Sequence, residues 1–172
     1  MSRLCMLAAV DRNWGIGYDG DLLFHLKQDM VSFREKTVGN VVVMGRKTLE
    51  SLPGGKPLFG RTNIVLTKNN RFDREHRLEN LIVLHSVEEV LEYAEKEESQ
   101  MYIIGGSEIY RQFVTIATEA VITKVDAERQ ADTYFPNLDE MSSWEQIHQS
   151  EIVREKNGPD FRFVTYRRIP TE

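Results

Sequence analysis

The sequence predicts an α/β fold, in which a single domain has a mostly parallel central sheet of about eight strands, helices on both faces and an antiparallel C-terminal hairpin. Short apolar runs alternate along the chain with amphipathic runs, which is typical of strands joined by helices. The 172 residues suit one domain, and no linker-like stretch divides them. After residue 125 the alternation gives way to two strand-like runs separated by a turn.

The elements follow a regular order. The run over 4–10 is entirely apolar and predicts a buried strand. The pattern then predicts a helix over 26–37, a strand over 41–44, a helix over 47–52, strands over 63–67 and 81–85, an amphipathic helix over 87–97, a strand over 101–104, a helix over 108–113 and a strand over 120–125. Strands over 144–153 and 161–168, joined through a turn at 156–160, form the predicted edge hairpin. The charged stretch 69–80 favours no element.

Composition and charge exclude several classes of protein. A net charge of −5 argues against a general nucleic-acid binder. No apolar run is long enough to cross a membrane, and the first residues lack a secretory pattern, so we expect a cytoplasmic protein. Cys5 is the only cysteine and lies in an apolar run, which indicates a buried thiol. The four histidines lack metal-ligand spacing, so we expect no metal, and nothing demands more than a monomer.

Asp29 is the residue that carries most information about chemistry. In the predicted helix, Leu26, Met30 and Phe33 lie at i, i+4 and i+7, and Asp29 falls among them. A carboxylate among hydrocarbon side chains persists only if donors or a shared proton meet it, which indicates a catalytic acid. An alternative stays open, because Asp29 lies in the first turn, where the helix dipole and free backbone N–H groups favour a carboxylate without any catalysis.

Two glycine-containing turns lie where predicted strands pass into helices. Gly45 follows the strand over 41–44, and Gly105 and Gly106 follow the strand over 101–104. Ligands of open α/β sheets bind at such carboxyl ends, where glycine lets the backbone approach a phosphate. The segment 45–68 also has five basic residues against one acid, which suits a small polyanion. A plain turn and ordinary solvated charge are the alternatives.

The 11–25 loop is long, contains three glycines and ends in Leu22-Leu23-Phe24 shortly before Asp29. A loop of this kind can move over a pocket and exclude water. The alternative is an ordinary surface connection, although such connections seldom end in three consecutive apolar residues.

Taken in order, these stretches resemble the dihydrofolate reductase family over nearly the whole chain. Each motif alone is unspecific, whereas the ordered set is specific. The matching residues are Ala9-Val10-Asp11 with Gly15-Ile16-Gly17, Asp29 with Phe33 and Thr37, Val43-Met44-Gly45-Arg46-Lys47-Thr48, Pro57-Leu58 with Gly60-Arg61-Thr62-Asn63-Ile64-Val65-Leu66, Ile104-Gly105-Gly106 with Ile109-Tyr110, Thr123, and Asp132-Thr133-Tyr134-Phe135-Pro136.

The resemblance implies an NADPH-dependent oxidoreductase of one-carbon metabolism and a target of antifolate inhibitors. Members of the family transfer a hydride from NADPH to C6 of 7,8-dihydrofolate while a proton reaches N5, which gives tetrahydrofolate. Asp29 matches the family's acid, which holds the pterin's amino group and adjacent ring nitrogen with support from Thr123. A water beneath Leu22 would carry the proton to N5, and the pKa of Asp29 should rise toward neutrality.

The same matching implies the other ligand contacts. Phe33 and Leu52 would enclose the pterin and benzoyl rings, and Arg61 would bind the glutamate α-carboxylate. Leu7 and Ile104 would offer carbonyls to the pterin. The implied cofactor contacts are Ala9, Ile16, Gly45, Arg46, Lys47, Thr48, Leu66, Thr67, Lys68, Ile104, Gly105, Gly106, Ser107, Glu108, Ile109 and Tyr110, with Arg46 and Lys68 at the 2′-phosphate and Tyr110 at the nicotinamide. A solvated turn cation is the alternative for Arg61, and an ordinary strand threonine for Thr123.

The chain departs from the family pattern at Leu23-Phe24, where most members have Pro-Trp. The tryptophan N–H normally holds a water that bridges to the pterin carbonyl, and phenylalanine cannot donate that hydrogen bond. Two other functions stay open. A pyrimidine or pterin reductase of the riboflavin pathway would not need Asp29, Phe33 and Arg61 together, and a non-catalytic nucleotide-binding module would be insensitive to Asp29→Asn.

Overall fold

The apolar run near the start of the chain forms a central strand. In the computed structural model, which describes residues 3–69, 71–72 and 80–170, this run is strand β1 (Leu4–Val10). It pairs in parallel with a strand on each side. Such a strand is apolar throughout because helices cover both faces of a parallel sheet.

The other elements follow in the predicted alternation. They are β2 (Gly15–Tyr18), β3 (Asp21–Leu22), α1 (Lys27–Thr37), β4 (Val41–Gly45), α2 (Arg46–Ser51), β5 (Thr62–Leu66), β6 (Leu81–Leu84), α3 (Val87–Lys96), β7 (Met101–Ile103), α4 (Ser107–Phe113), β8 (Glu119–Val125), β9 (Thr133–Tyr134), β10 (Trp144–Gln149) and β11 (Phe161–Arg168), with short 3-10 turns at Pro53–Gly55 and Leu138–Glu140. The predicted boundaries differ from these by about one residue, except that β10 ends at Gln149 and not at residue 153.

The described strands form an eight-stranded sheet in the order β10-β11-β8-β1-β7-β4-β5-β6. Strand β11 is antiparallel to both of its neighbours, while the pairings from β8 to β6 are parallel. The predicted fold class and the C-terminal hairpin are therefore confirmed. Because the central strands are parallel, their carboxyl ends meet at one edge of the sheet, where ligands bind in folds of this type.

A second, three-stranded sheet in the order β3-β2-β9 was not predicted. Its strands contain two to four residues, and β2 includes two glycines, so the 11–25 loop lacks a strand pattern. The pairing of Gly15 and Gly17 with Tyr134 and Thr133 comes from a distant part of the chain. A Cβ atom on Gly17 would lie 2.6 Å from Thr133 Oγ1, so the close approach requires glycine.

Buried side chains form clusters on both faces of the sheet. Along β4, Val41 and Val43 belong to one cluster, while Val42 and Met44 belong to another. This alternation places a helix-covered core on each side, as predicted. Most of the charged stretch 69–80 lies outside the described residues.

Candidate functional site

Several of the predicted site residues lie where the central strands end. Strand β1 is buried from Leu4 to Leu7, but Ala8 and Ala9 are partly exposed, so the surface opens at this edge. Ala9 lies opposite Thr123 on β8. On the other side, the Ile104 N–H donates to the carbonyl oxygen of Val43 at 2.9 Å, which joins the turns after β7 and β4.

Asp29 and Thr123 are in direct contact at this edge. The Thr123 hydroxyl donates a hydrogen bond to Asp29 Oδ1 at 2.6 Å, although 94 positions separate the two residues. Thr123 is buried, whereas Asp29 is only half-buried and keeps part of its carboxylate accessible. One oxygen of the acid is therefore fixed by the protein, and the carboxylate remains able to accept hydrogen bonds from a ligand.

The pKa of Asp29 is raised above that of an ordinary aspartate. Burial is the largest cause, because it disfavours the charged form, and the negative charge of Glu155 adds to it. The hydrogen bond from Thr123 and the positive charge of Lys36 act in the opposite direction. The direction of this shift agrees with the sequence prediction, and a raised pKa is typical of a carboxyl that takes part in proton transfer.

The contacts at the start of α1 do not support the alternative role of Asp29 as the acid that satisfies the helix N-terminus. The backbone N–H groups of Lys27 and Gln28 donate to Glu155 Oε2 and Oε1, at 3.1 and 2.5 Å. Leu26, at the N-cap of α1, has no capping side chain. Glu155 therefore caps the helix, and the Asp29 carboxylate turns toward Thr123.

The prediction that Leu26, Met30 and Phe33 form one apolar stripe around Asp29 is wrong. Leu26 is buried, but Met30 is 58% exposed and Phe33 is half-buried. Thr37 is the residue of α1 that is buried in the interior. The helix is thus buried at Leu26 and Thr37, near its two ends, and its apolar spacing does not mark a face packed on the core.

The predicted substrate and nicotinamide contacts are linked through Tyr110. The Tyr110 hydroxyl, which is buried, donates to the carbonyl oxygen of Leu7 at 2.5 Å. The Tyr110 ring also packs against Phe135, with ring centroids 4.6 Å apart. A carbonyl has two lone pairs, so Leu7 keeps one for a further donor.

The two glycine-containing turns face each other. The Gly45 N–H donates to the Gly105 carbonyl oxygen at 2.9 Å, and the Gly105–Gly106 peptide bond is cis. Gly105 has φ of 118°, and a Cβ atom there would lie 3.2 Å from Tyr110 Oη. A Cβ atom on Gly45 would lie 3.1 Å from Ile109 Cγ1. A Cβ atom at either position would therefore crowd a side chain of α4, so glycine is needed for the close packing of these turns.

The predicted phosphate-binding cations differ in their surroundings. Arg46 makes an ion pair with Glu50 across one turn of α2, at 2.8 Å. Lys47 and Lys68 are exposed. Arg46 would therefore have to exchange or share its partner to bind a phosphate, whereas the two lysines are directly accessible. Neither α2 nor α4 has a side-chain cap at its first turn, which leaves backbone N–H groups at both turns without a side-chain acceptor.

Arg61 is held in place beside α1. Its Nη1 donates to Thr37 Oγ1 at 3.1 Å, and its Nε donates to the Phe59 carbonyl oxygen at 3.0 Å. The Thr37 hydroxyl in turn donates to the Phe33 carbonyl oxygen. Partial burial, and then the nearby charge of Arg34, lower the pKa of Arg61. Its contacts are neutral oxygens, so the guanidinium has no carboxylate partner among the described residues and suits an anionic ligand.

The 11–25 loop is tied to the rest of the molecule at its end. Leu23 and Phe24 are buried, whereas Leu22 is 64% exposed. Arg129 Nη1 donates to the Leu23 carbonyl oxygen, and its guanidinium lies 4.5 Å from the centre of the Phe24 ring. The Asp19 N–H donates to Asp132 Oδ2 at 2.9 Å. The segment that departs from the family pattern is thus held by a cation, and Leu22 stays free to contact a ligand.

Sequence reasoning missed the contacts of Glu155 and Arg129. Both residues approach the segment before Asp29 from parts of the chain that follow β8. Neither has a local pattern that distinguishes it from a solvated charge, so no motif could have identified it. The sequence predicts the turn at 156–160, but it does not predict that Glu155, just before this turn, contacts the start of α1.

Cys5 is buried, as predicted. Burial raises the pKa of Cys5 to about 12, which keeps the thiol protonated and unreactive. Within 3–69, 71–72 and 80–170, no helix is both long and apolar enough to cross a membrane. Over the same residues, no cluster of His, Cys, Asp or Glu side chains could bind a metal ion.

Comparison with known proteins gives a consistent family. The family model for dihydrofolate reductase matches residues 3–168. The dihydrofolate reductase of Bacillus subtilis is 33% identical over 166 residues, which cover 96% of this chain and 94% of the relative. That of Enterococcus faecium is 37% identical over 162 residues, with 94% of each chain covered. A solved dihydrofolate reductase from Enterococcus faecalis, complexed with NADP(H) and RAB-propyl, superimposes with a TM-score of 0.84 at 37% identity and 96% coverage of each chain.

Proposed function

The chain belongs to the dihydrofolate reductase family and is an NADPH-dependent oxidoreductase, and we propose that the cleft around Asp29 is where it reduces 7,8-dihydrofolate to 5,6,7,8-tetrahydrofolate. One observation carries the proposal. The half-buried Asp29 carboxyl, which has a raised pKa, is fixed by the Thr123 hydroxyl. This contact lies at the same edge of the sheet as the two glycine turns. Such a carboxyl can pair with the amino group and ring nitrogen of a pterin.

The residues of the two glycine turns fit a dinucleotide. Neither α2 nor α4 has a side-chain cap, so backbone N–H groups at both turns can donate to a phosphate, and Lys47 and Lys68 supply positive charge. Lys47 and Lys68 are the accessible cations, and we assign Lys68 to the 2′-phosphate, with Arg46 as a second candidate. When bound at these turns, NADPH supplies the hydride for C6 of the pterin.

The chain's own residues orient the substrate and control its protonation. Asp29 would hold the pterin edge, while Thr123 prevents the carboxylate from rotating away. Leu22 and the 11–25 loop would exclude bulk water and retain one water that delivers a proton to N5. Because burial raises the pKa of Asp29, the acid holds its proton to a higher pH than an exposed aspartate does.

Arg61 would bind the α-carboxylate of the glutamate tail. The guanidinium is oriented by Thr37 and Phe59, and its Nη2 is the group left for a carboxylate. Phe33 and Leu52, both half-buried, would enclose the rings between the two charged ends. The substrate of a pyrimidine reductase has no glutamate tail, so this arginine favours a folate substrate over the riboflavin-pathway alternative.

The proposal is tested by the reductase activity of Asp29→Asn. NADPH oxidation with dihydrofolate should fall by at least about 100-fold at neutral pH and recover in part at low pH, where the substrate is already protonated. Asp126→Asn is the matched control, because Asp126 is an exposed acid that pairs with Arg12. Turnover of a pyrimidinone substrate in preference to dihydrofolate, or equal rates in both variants and the wild type, would contradict the assignment.

Loss of activity in Asp29→Asn should not come from unfolding. The raised pKa of Asp29 means that folding favours the protonated carboxyl. Ionisation of this carboxyl lowers the free energy of unfolding. The loss is absent below the ordinary carboxyl pKa and develops as the pH rises through the raised pKa of Asp29. The neutral amide does not incur this loss, so the variant should unfold at no lower urea concentration than the wild type at neutral pH.

We also propose that the enzyme is a cytoplasmic monomer that does not bind nucleic acid. Its net charge of −5 supports the last point. Light scattering coupled to gel filtration should give a mass near 20.0 kDa, and a dimer mass would overturn this part of the proposal.

A further inference from the structure

We propose that Glu155, in the connection between β10 and β11, is a positioning residue for the reductase reaction: it caps the helix that carries Asp29 and keeps a second negative charge near that carboxyl. The inference rests on the proposed role of Asp29. It assigns a role in the reaction to a residue of the connection between β10 and β11, whose contacts with the start of α1 are described above.

Both carboxylate oxygens of Glu155 accept hydrogen bonds from successive backbone N–H groups. Glu155 Oε2 accepts from the Lys27 N–H at 3.1 Å and Oε1 from the Gln28 N–H at 2.5 Å. A helix N-terminus leaves its first N–H groups unsatisfied, and Leu26 cannot bond them with its side chain. Glu155 therefore supplies a cap that α1 does not encode in its own sequence, and its charge also complements the helix dipole.

The hairpin connection fixes Glu155 in this position. The Gly158 N–H donates to the Glu155 carbonyl oxygen at 3.3 Å, and Asn157 between them has φ of 66°, so the chain turns tightly here. Before the turn, Val153 and Phe161 pair across the connection. Phe161 and Leu26 belong to one buried cluster, and Val153 packs against it. The cap and this cluster together join the hairpin to the start of α1.

The groups that interact with the Asp29 carboxyl, charged or neutral, come from four parts of the chain. Lys36 lies on the same helix, Thr123 on β8, Tyr110 on α4 and Glu155 on the hairpin connection. Of these, Glu155 is the group whose charge adds to burial in favouring the protonated acid. The neutral hydroxyl of Thr123 and the cation Lys36 oppose it. Removing the charge of Glu155 should therefore make Asp29 lose its proton at lower pH.

Three variants separate the charge of Glu155 from its capping role. Glu155→Gln keeps an acceptor oxygen and removes the charge, whereas Glu155→Asp keeps the charge and withdraws the carboxylate from the helix. Glu151→Gln is the matched control, because Glu151 is an exposed acid in the same connection and makes no hydrogen bond or ion pair with α1 among the described residues. The Asp29 carboxyl is titrated by carbon-13 NMR, and amide hydrogen exchange is followed at Lys27 and Gln28.

Glu155→Gln should move the Asp29 titration to lower pH and move the falling limb of the pH–rate profile of hydride transfer in the same direction, while Glu151→Gln leaves both in place. Glu155→Asp should speed amide exchange at Lys27 and Gln28 by roughly tenfold, with a smaller effect on the titration. An unchanged titration in Glu155→Gln, or unchanged exchange in Glu155→Asp, would overturn the proposal. Failure of the wild type to reduce dihydrofolate would instead reject the proposed function, since the NMR titration does not depend on turnover.

Discussion

The two halves of the cleft are built in different ways. The proposed cofactor half consists of turns at Gly45 and Gly105, where the two backbones are hydrogen-bonded and a Cβ atom would crowd side chains of α4. The proposed substrate half consists of side chains, chiefly Asp29 and Arg61, each oriented by a hydrogen bond to a residue on another element. A backbone cradle is encoded locally, whereas an oriented carboxyl needs partners that the fold brings from elsewhere.

This difference separates binding from proton control. A phosphate is recognised by positive charge and close approach, so small errors in position cost affinity only gradually. The acid, in contrast, depends on burial and on neighbouring charges that oppose each other. We therefore expect changes in the cofactor half to alter affinity, and changes around Asp29 to alter the pH dependence of the reaction.

The largest effect that would sharpen this comparison is expected for Arg61→Ala. Loss of the guanidinium should raise KM for dihydrofolate by roughly 100-fold with little change in kcat, because a charged hydrogen bond to the tail contributes about 1.5–3 kcal/mol. Arg61→Lys should raise KM for dihydrofolate less than Arg61→Ala does, since the fork geometry is lost but the charge remains. Dihydropteroate, which lacks the glutamate, is the control substrate. If KM for dihydropteroate rose equally, Arg61 would act on the fold and not on the tail.

Gly105→Ala tests the cofactor half. The φ of 118° and the 3.2 Å approach to Tyr110 Oη make alanine strained there, at a cost of about 1–3 kcal/mol. We expect NADPH to bind about 30-fold more weakly, by fluorescence titration. Gly39→Ala is matched for positive φ, 81°, but has nothing within 4 Å and lies in the turn after α1. Equal NADPH affinity in the two variants would show that the turn at Gly105 does not contact the cofactor.

Thr123→Val should have the smallest effect on rate, roughly tenfold on kcat/KM, but a distinct pH signature. The Thr123 hydroxyl lowers the pKa of Asp29, so its removal should raise that pKa further and move the falling limb of the pH–rate profile to higher pH. This is opposite in sign to the shift expected for Glu155→Gln. Thr118→Val, just before the same strand, is the control. A shift to lower pH in Thr123→Val would contradict the assigned contact.

Much of the fold could be predicted because its signals are local. The strand over 4–10 is a continuous apolar run, the helix over 108–113 has apolar residues at helical spacing, and the turns at Gly45 and Gly105 follow directly from glycine after an apolar run. The small sheet of β2, β3 and β9 was missed, since it depends on Thr133 and Tyr134 pairing with a distant loop. The exposure of Met30 was missed because periodicity cannot tell whether a helix faces a core or a cleft.

The sequence by itself determined the order along the chain of the helices and of the strands of the large sheet, the two glycine turns and the presence of an acid early in α1, because each depends on residues that are neighbours along the chain. The tertiary structure alone decided that this acid meets Thr123, that Glu155 caps its helix and that Arg129 holds the loop before it. These contacts join residues 94, 127 and 106 positions apart. The pKa of Asp29 depends on burial and on nearby charges, and both exist only once the chain has folded.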